Sequence, residues 1–264
     1  METPDLTKQR IKEYLQAGKR FDDRKYDEFR EIKIETGVSK KAEGSARIHV
    51  GKTDLVVGIK MDVGTPYPDS LDSGNISVTA ELIPLSSDRF EFGPPSIESI
   101  EIARVVDRGI RESKFIDLKK LCIKEGEKVW NVFIDIYILN HDGNLIDAAT
   151  MAAVAALKSS KIPKYDEEKE KVLFGEWTDK KMPLTKENMM ECTVHKIGDK
   201  FLVDPTIEEE DASDARVTIA IADGVIHAMQ KGNSQELKIE EFYEIIDLAE
   251  KTIKKLSSKA EKIK

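Results

Sequence analysis

Residues 128–158, KVWNVFIDIYILNHDGNLIDAATMAAVAALK, contain the clearest secondary-structure pattern in the chain. Side chains alternate with period two in the first part of this stretch, which predicts a β-strand from Lys128 to Leu139. The more apolar face of this strand should point into the core. It carries Trp130, Val132, Ile134 and Ile136. The dipeptide Asp142-Gly143 predicts a turn, and Asp147 to Lys158, apolar on nearly every side, predicts a helix buried on most of its faces.

Upstream of this stretch, the pattern predicts a β-rich segment followed by a helix. Residues 29–84 alternate with period two and are divided by clusters of glycine and proline, which is typical of successive strands. From Ser96 to Ser113 the apolar residues return to helical spacing, and Ser96 is a residue type that caps helices. Near the start of the chain, Thr7 to Ala17 predicts a short helix that ends at Gly18.

Downstream, the sequence becomes polar and then returns to strands and a helix. Residues 159–187 are dense in charge and punctuated by proline, and we interpret them as a surface excursion. Apolar runs then predict four strands, at Cys192–Ile197, Phe201–Val203, Val217–Ala222 and Val225–Met229. An amphipathic segment from Ile239 to Leu256 predicts the last helix, and a lysine-rich tail follows it.

The order of these elements predicts the fold class. Strands precede a helix, a strand and a buried helix, and further strands lead to the final helix, which together indicate an α+β protein. The chain has 264 residues and a hydrophobic content of 40%, which is enough to fill a sizeable core. We expect an N-terminal helical arm over residues 1–20 and one compact domain over residues 21–264.

Composition excludes several classes of protein. The start, Met1 to Asp5, has no basic region followed by an apolar run, so we expect no signal peptide. The longest apolar run, Ala148 to Leu157, is too short for a bilayer, which needs about 20 residues. Two cysteines without a C-x-x-C pattern and four scattered histidines predict no disulfide framework, metal site or cofactor. We therefore expect a cytoplasmic protein without membrane contact.

The charge of the chain makes the position of each arginine informative. The formal net charge is −8, so overall attraction to nucleic acid is not expected, and any RNA contact must come from a local basic cluster. Arg104, Arg108 and Arg111 have i, i+4 and i+7 spacing on the predicted helix, which places them within roughly 60° of one another around its axis. Guanidinium groups donate paired hydrogen bonds to phosphate, so this stripe is a candidate RNA-binding site.

The same helix also allows an alternative in which every arginine has an acidic neighbour. Such i, i+3 and i, i+4 pairs are common on charged helices and would make the stripe an ordinary solvent-exposed face. The candidate pairs are Glu101 with Arg104, Arg108 with Glu112, and Asp107 with Arg111. The residues alone leave both interpretations open.

A second candidate site is an acidic run between two predicted strands. Clustered carboxylates can hold Mg²⁺ or act as acid and base, but such runs are more often solvated loops. The run consists of Asp204, Glu208, Glu209, Glu210, Asp211 and Asp214. Asp142-Gly143-Asn144 is only a turn by itself, and no P-loop, G-x-G-x-x-G, H-E-x-x-H or G-x-S-x-G motif is present.

Four stretches, taken in order, resemble the ribonuclease PH family, and most closely the non-catalytic ring subunits of the archaeal RNA exosome. They are NISVTAELIPL (75–85), FGPPSIESIEIARVVDRGIRESKFIDLKKL (92–121), KVWNVFIDIYILNHDGNLIDAATMAAVAAL (128–157) and FLVDPTIEEEDASDARVTIA (201–220). The similarity extends over about residues 20 to 250. It implies a ribonuclease PH-like fold of two β-α-β-α-type halves in one compact domain.

The resemblance also implies partners and a function. Three heterodimers, each pairing this subunit with a catalytic ribonuclease PH-type subunit, would form a hexameric ring with RNA-binding cap subunits. RNA would enter through the central pore and be degraded from its 3′ end, with inorganic phosphate as the nucleophile. Arg104 and Arg108 fall where the non-catalytic subunit contributes arginines that bind RNA near the partner's active site. Arg111 is either a further RNA contact or a structural ion pair.

Active members of the family carry RNA- and phosphate-binding residues that this chain lacks. The resemblance places an arginine pair before the helix of residues 96–113, where this chain has Ile97 and Glu98. It places a hydroxyl residue, and often an arginine, after the Asp-Gly turn. This chain has Leu145 and Ile146 there, and aliphatic side chains offer an anion no donor.

The acidic residues of active members are also incomplete. The resemblance places acids six and twelve positions beyond an aspartate equivalent to Asp204, and counting forward gives Glu210 and then Arg216. An arginine would repel a metal ion and keeps its proton, so it cannot act as a base. We therefore predict no catalytic residues and a non-catalytic subunit.

Two alternatives remain at this point. The chain could be an active phosphate-dependent 3′-to-5′ exoribonuclease of the ribonuclease PH family, with Asp211 or Asp214 in place of the lost carboxylate. It could also be a pure scaffold whose arginines are all paired with neighbouring acids.

Overall fold

The structure is a computed structural model that describes residues 3–186 and 188–260. Its helices are α1 (Asp5–Gln16), α2 (Ile97–Glu112), α3 (Leu145–Ser159), α4 (Ile207–Asp211) and α5 (Ile239–Ala260). Its strands are β1 (Ile32–Thr36), β2 (Gly44–Val50), β3 (Thr53–Gly64), β4 (Asn75–Leu82), β5 (Cys122–Lys124), β6 (Lys128–Asn140), β7 (Lys161–Asp166), β8 (Lys171–Lys181), β9 (Met189–Ile197), β10 (Lys200–Val203), β11 (Ala215–Ala222) and β12 (Val225–Gly232). A 3₁₀ helix, Leu118–Leu121, precedes β5.

The first half of the chain is a six-stranded sheet covered by two helices. The strand order is β1-β2-β3-β6-β4, with β5 paired to β6, and only β4 runs parallel to its neighbour β6. The predicted inward face of β6 is buried, because Trp130, Val132, Ile134 and Ile136 all belong to the core. Helices α2 and α3 contribute to the same core, which confirms the assignment of these elements.

Helix α3 confirms the expected burial but begins earlier than predicted. Twelve of its fifteen residues are buried. It begins at Leu145, not Asp147, because Asn144 adopts a left-handed backbone conformation and the helix follows at once. Asparagine tolerates this conformation better than most residues.

The second half is a four-stranded antiparallel sheet of order β10-β9-β11-β12. Ile245, Ala249 and Ile253 of α5 pack against one face of this sheet. Helices α2 and α3 lie against the other, so they separate the two large sheets. Strands and helices are therefore mixed and partly segregated, which confirms the α+β class.

The polar segment of residues 159–187 contains a hairpin that the sequence analysis missed. Strands β7 and β8 pair antiparallel, and Val172 in β8 and Met182 directly after it are buried. Both faces of β8 carry charged residues, so the segment has no period-two pattern from which a strand could be predicted.

The N-terminal helix is docked, as expected of an arm. Ile11 and Leu15 of α1 pack against Ile197, Leu202 and Ala212 of the second half. The domain division into residues 1–20 and 21–264 stays a prediction. The lysine-rich tail falls largely on residues 261–264, which lie outside the described part of the chain. Within residues 3–186 and 188–260, no helix is long and apolar enough to cross a membrane.

Candidate nucleic-acid interface

Helix α2 presents the arginine stripe because its opposite face is fixed in the core. The Ser96 hydroxyl accepts a hydrogen bond from the backbone N–H of Ser99 at 3.2 Å, which caps the first turn. Val105, Val106 and Ile110 are buried against the sheet and α3. The remaining face is therefore turned outward, and the three arginines lie on it.

The three arginines have three different environments. Arg104 is exposed and has no hydrogen bond or ion pair with any described residue. Arg108 is exposed and donates from Nη1 to Oε1 of Gln230 on β12, at 3.4 Å. Arg111 donates to both carboxylate oxygens of Asp107, at 2.8 and 3.2 Å, and to the Ile76 carbonyl at 3.3 Å. The hydrogen bonds that Arg111 donates to Asp107 raise the pKa of Arg111.

Of the three ion pairs that could have neutralised the stripe, one is present among the described residues. Asp107 and Arg111 pair as the spacing allows. Glu101 does not pair with Arg104; its carboxylate accepts from Arg216 at 2.6 Å and from Gln230 at 3.0 Å. This arrangement could not be predicted from the sequence, because Arg216 and Gln230 lie more than 100 residues from Glu101 along the chain.

A cleft of about 200 Å³ opens beside the first turns of α2. It brings together most of the positions at which the resemblance placed RNA, phosphate and catalytic contacts. Its lining includes Glu98, Glu101, Leu145, Ile146, Glu210 and Arg216. The cleft also contains Arg89, and both of its arginines are paired with carboxylates, Arg89 with Asp211 and Arg216 with Glu101.

Glu210 is the carboxylic acid of the cleft that could exchange a proton. It is half-buried, and one carboxylate oxygen accepts from the backbone N–H of Asn144 at 2.7 Å. Burial raises its pKa to about 7, although that hydrogen bond and the positive charges of Arg216 and Arg30 oppose the shift. Two other carboxylates of the cleft, Glu101 and Asp211, are paired with Arg216 and Arg89.

Asp204 has a structural task. It accepts hydrogen bonds from Arg24 at 2.8 Å and from three nitrogen atoms of Arg30 at 2.7 to 2.9 Å. Burial alone would raise the pKa of Asp204, but the hydrogen bonds and charge of Arg30 outweigh it and lower the pKa. The sequence analysis missed both arginines, because nothing near them in the chain indicates an acidic partner more than 170 residues away.

Asp211 and Asp214 are the two carboxylates that could have replaced the acid missing at position 216. Each of them is bound to a cationic side chain. Asp211 accepts two hydrogen bonds from Arg89, at 2.9 and 2.7 Å, and one from the backbone N–H of Thr3 at 3.0 Å. Burial would raise its pKa, but these contacts lower it to about 2. Asp214 accepts from Lys12 at 2.8 Å and does not line the cleft.

The two histidines of the cleft are uncharged at neutral pH. Burial lowers the pKa of His141 to about 4 and that of His195 to about 3, and the nearby arginines add to both shifts. Among residues 3–186 and 188–260, no group of three or more histidine, cysteine, aspartate or glutamate side chains could hold a metal ion.

Comparison with known proteins connects this geometry to a family. Two sequence models match the chain: "3′ exoribonuclease family, domain 1" over residues 28–163, and "3′ exoribonuclease family, domain 2" over residues 178–252. The exosome complex component Rrp42 of Methanothermobacter thermautotrophicus is 43% identical over 96% of this chain and 93% of its own length. The protein of the same name from Archaeoglobus fulgidus is 45% identical over 98% and 97%.

Solved structures agree with the sequence matches. A chain in the structure titled "archaeoglobus fulgidus exosome with RNA bound to the active site" superimposes with a TM-score of 0.89 and 45% identity, covering 97% of this chain and 98% of the other. A chain of an archaeal exosome core gives a TM-score of 0.84 at 42% identity, covering 97% and 96%. The predicted ribonuclease PH-like fold is thereby confirmed. The chain belongs to the 3′ exoribonuclease family whose members share the ribonuclease PH fold.

Proposed function

We propose that this chain is a non-catalytic ring subunit of an archaeal RNA exosome, and that it binds RNA and shapes the active site of a catalytic partner. Its relatives in M. thermautotrophicus and A. fulgidus carry the name of an exosome complex component, and they match this chain over more than nine-tenths of its length. The solved A. fulgidus assembly is described as having RNA in its active site.

The assembly we propose is a ring of three heterodimers in the cytoplasm. Each heterodimer pairs this chain with a catalytic ribonuclease PH-type subunit, and RNA-binding cap subunits complete the complex. The likeness to chains of two archaeal exosome structures supports a place in such a ring. Co-purification of a stoichiometric catalytic partner in a hexamer is the expected result, and recovery of this chain alone under the same conditions would contradict it.

The proposed RNA binding depends on Arg104 and Arg108. Both are exposed, and neither has a carboxylate partner among the described residues, so both guanidinium groups are available to phosphate. This is the observation that carries the proposal, because a pure scaffold would have them neutralised. Arg111 stays a candidate RNA contact, but its bidentate pair with Asp107 favours the structural alternative.

The absence of catalysis is supported by the composition of the cleft. Arg216 stands where the resemblance placed a second acid, and it is bound to Glu101. Leu145 and Ile146, which replace phosphate-binding residues, have almost no exposed surface. Glu210 has a pKa suited to proton transfer, but the two arginines that line the cleft with it, Arg89 and Arg216, are bound to the carboxylates of Asp211 and Glu101.

The proposal is tested in the reconstituted ring with Arg104→Ala plus Arg108→Ala. Each lost phosphate contact should weaken RNA binding, so we expect a higher Kd and slower degradation of oligoribonucleotide. Lys251→Ala plus Lys254→Ala on α5 is the matched control, since it also removes two exposed positive charges from one helix. RNA affinity and degradation equal to those of the control would contradict the proposal.

The alternative of an active phosphorolytic exoribonuclease has a separate test. Its candidate carboxylates, Asp211 and Asp214, are both engaged with cations, which argues against it. Incubation of the isolated chain with oligoribonucleotide and phosphate should release no nucleoside diphosphate. Release that is abolished by Asp211→Asn or Asp214→Asn would establish the alternative.

A further inference from the structure

We infer that Arg216 and Gln230 keep the arginine stripe available to RNA by holding Glu101 away from Arg104. This inference rests on the proposed function and assigns a positioning task to two residues outside α2. Arg216 occupies a position that the resemblance assigns to an acid, so the arginine that removes catalytic potential would also support RNA binding.

Without contacts from other elements, Glu101 of α2 would neutralise Arg104 of the stripe. Glu101 lies three residues before Arg104, on the same side of α2, and this spacing allows an ion pair on a helix surface. An arginine with such a neighbour binds phosphate less well, because the carboxylate competes for the same donors and the two charges cancel. The free state of Arg104 therefore depends on where Glu101 is held.

In the structure, both oxygen atoms of Glu101 are occupied from the second half of the molecule. Oε2 accepts from Nη2 of Arg216 at 2.6 Å, and Oε1 accepts from Nε2 of Gln230 at 3.0 Å. The amide of Gln230 also faces the stripe, since its Oε1 accepts from Arg108 at 3.4 Å. The side-chain amide of Gln230 therefore lies between Glu101 and Arg108 and forms a hydrogen bond with each of them.

The surroundings favour this pair over one with Arg104. The side chains of Arg216 and Glu101 are only 18% and 29% exposed, and the bond is short. A charge-assisted hydrogen bond between partly buried groups is stronger than an ion pair between exposed groups on one helix turn. Glu101 should therefore stay with Arg216 while RNA occupies the exposed face of α2.

A glycine on the neighbouring strand makes room for this contact. Arg216 is paired in register with Gly232 of β12. A Cβ atom at position 232 would lie 2.7 Å from Nε and 2.9 Å from Cζ of Arg216. The guanidinium group therefore lies across the glycine on its way to α2, and a side chain there would displace it without removing its charge.

The test measures RNA binding by the assembled ring carrying Arg216→Ala. Freed from Arg216, Glu101 should pair with Arg104, and RNA affinity should fall roughly two- to fivefold, the equivalent of one exposed ion pair. The slope of log K against log salt should become shallower by up to about 0.7, the value of one phosphate contact on a single strand. Combining Arg216→Ala with Glu101→Gln should restore both quantities to near the wild-type values.

A purely structural role for Arg216 would give a different pattern. In that case Arg216→Ala plus Glu101→Gln would bind RNA no better than Arg216→Ala alone, and this result would overturn the inference. Equal affinity of Arg216→Ala and the wild type would also overturn it. Gly232→Ala provides a second route if Arg216→Ala does not assemble, with the same expected loss and the same rescue by Glu101→Gln.

The outcome can be separated from that of the proposed function. If Arg104→Ala plus Arg108→Ala weakens RNA binding but Arg216→Ala does not, only the inference fails. If neither set of changes has an effect, the proposed function fails and the inference fails with it.

Discussion

Among single residues, the three arginines of the stripe on α2 differ in the groups that they contact. Arg104 has no described partner, Arg108 contacts an amide, and Arg111 contacts a carboxylate. The helical spacing predicted the stripe, and it allowed three ion pairs along it, of which only the pair of Asp107 with Arg111 is present among the described residues. The actual partners of Glu101 could not be predicted, since they depend on how two distant strands pack against the helix.

These environments predict different effects for single substitutions. Arg104→Ala should weaken RNA binding in the ring and change the free energy of unfolding by less than about 0.5 kcal/mol, because the side chain is exposed and unpaired. Arg111→Ala should have the smaller effect on RNA affinity and lower stability by up to about 1 kcal/mol. Filter binding and denaturant unfolding of both variants check this. A larger loss of RNA affinity with Arg111→Ala would reverse the assignment.

A buried acid predicts how stability depends on pH. Glu191 accepts from the Thr150 hydroxyl at 2.5 Å, and burial raises its pKa from 4.5 to about 8, with a further contribution from the neighbouring charge of Asp147. The folded state thus binds this proton more tightly than the unfolded state, and the stability it contributes below pH 4.5 is lost as pH rises toward 8.

Glu191→Gln should remove this dependence, because the amide keeps an acceptor for Thr150 and does not titrate. We expect the variant and the wild type to be equally stable near pH 4. Above pH 8 the variant should be more stable by an amount on the order of a few kcal/mol. Urea unfolding at pH 4, 6 and 8 measures the difference, and a difference that does not change with pH would refute the assignment.

At the scale of elements, helices were predicted more accurately than the hairpin. The bounds of α2 followed from apolar spacing and the Ser96 cap, and α3 followed from its continuous apolar sequence. The pair β7–β8 could not be predicted, because most of its side chains are exposed and do not alternate between apolar and polar. The hydrogen bonds between the two backbones do not depend on a hydrophobic pattern. The cleft could be anticipated only through family resemblance, because its walls come from separate elements.

Gly109 of α2 predicts an unusual effect of a glycine substitution. Replacing glycine by alanine inside a helix normally stabilises it by up to about 1 kcal/mol. Here a Cβ atom would lie 2.3 Å from Oε1 of Glu191, a side chain that is buried and hydrogen-bonded. Gly109→Ala should therefore destabilise the protein by about 1 to 3 kcal/mol.

A double-mutant cycle identifies the cause of that loss. In a Glu191→Ala background the obstructing oxygen is absent, so the additional cost of Gly109→Ala should shrink or change sign. Denaturant midpoints of the four proteins supply the measurement. Equal costs in both backgrounds would show that Glu191 is not what excludes a side chain at position 109.

At the scale of the whole molecule, a buried arginine links the N-terminal segment to the second half. Arg20 is 1% exposed; it donates to both oxygens of Glu209, at 2.9 and 2.6 Å, and to the carbonyls of Val203 and Asp204. Removing one partner of a buried pair leaves the other charge uncompensated. The role of Arg20 could not be predicted from the sequence, because its partners in the second half, Val203, Asp204 and Glu209, lie more than 180 residues away.

Arg20→Ala should therefore lower the free energy of unfolding by about 3 to 5 kcal/mol. Arg24→Ala is the comparison, because it also removes an arginine of this segment but one whose side chain is 11% exposed, against 0% for Arg20. We expect the smaller loss from Arg24→Ala. Guanidinium unfolding of the purified subunit checks both, and a loss below about 1 kcal/mol for Arg20→Ala would show that the pair does not hold the arm.

We propose that this chain holds RNA through α2 while its partner performs the chemistry. The most direct measurement is the salt dependence of RNA binding by the assembled ring, with and without Arg104→Ala plus Arg108→Ala. Each arginine that neutralises a phosphate of single-stranded RNA contributes about 0.7 to the slope of log K against log salt. We expect a slope shallower by about 1.4 in the variant, and an unchanged slope and affinity would show that these arginines do not bind RNA.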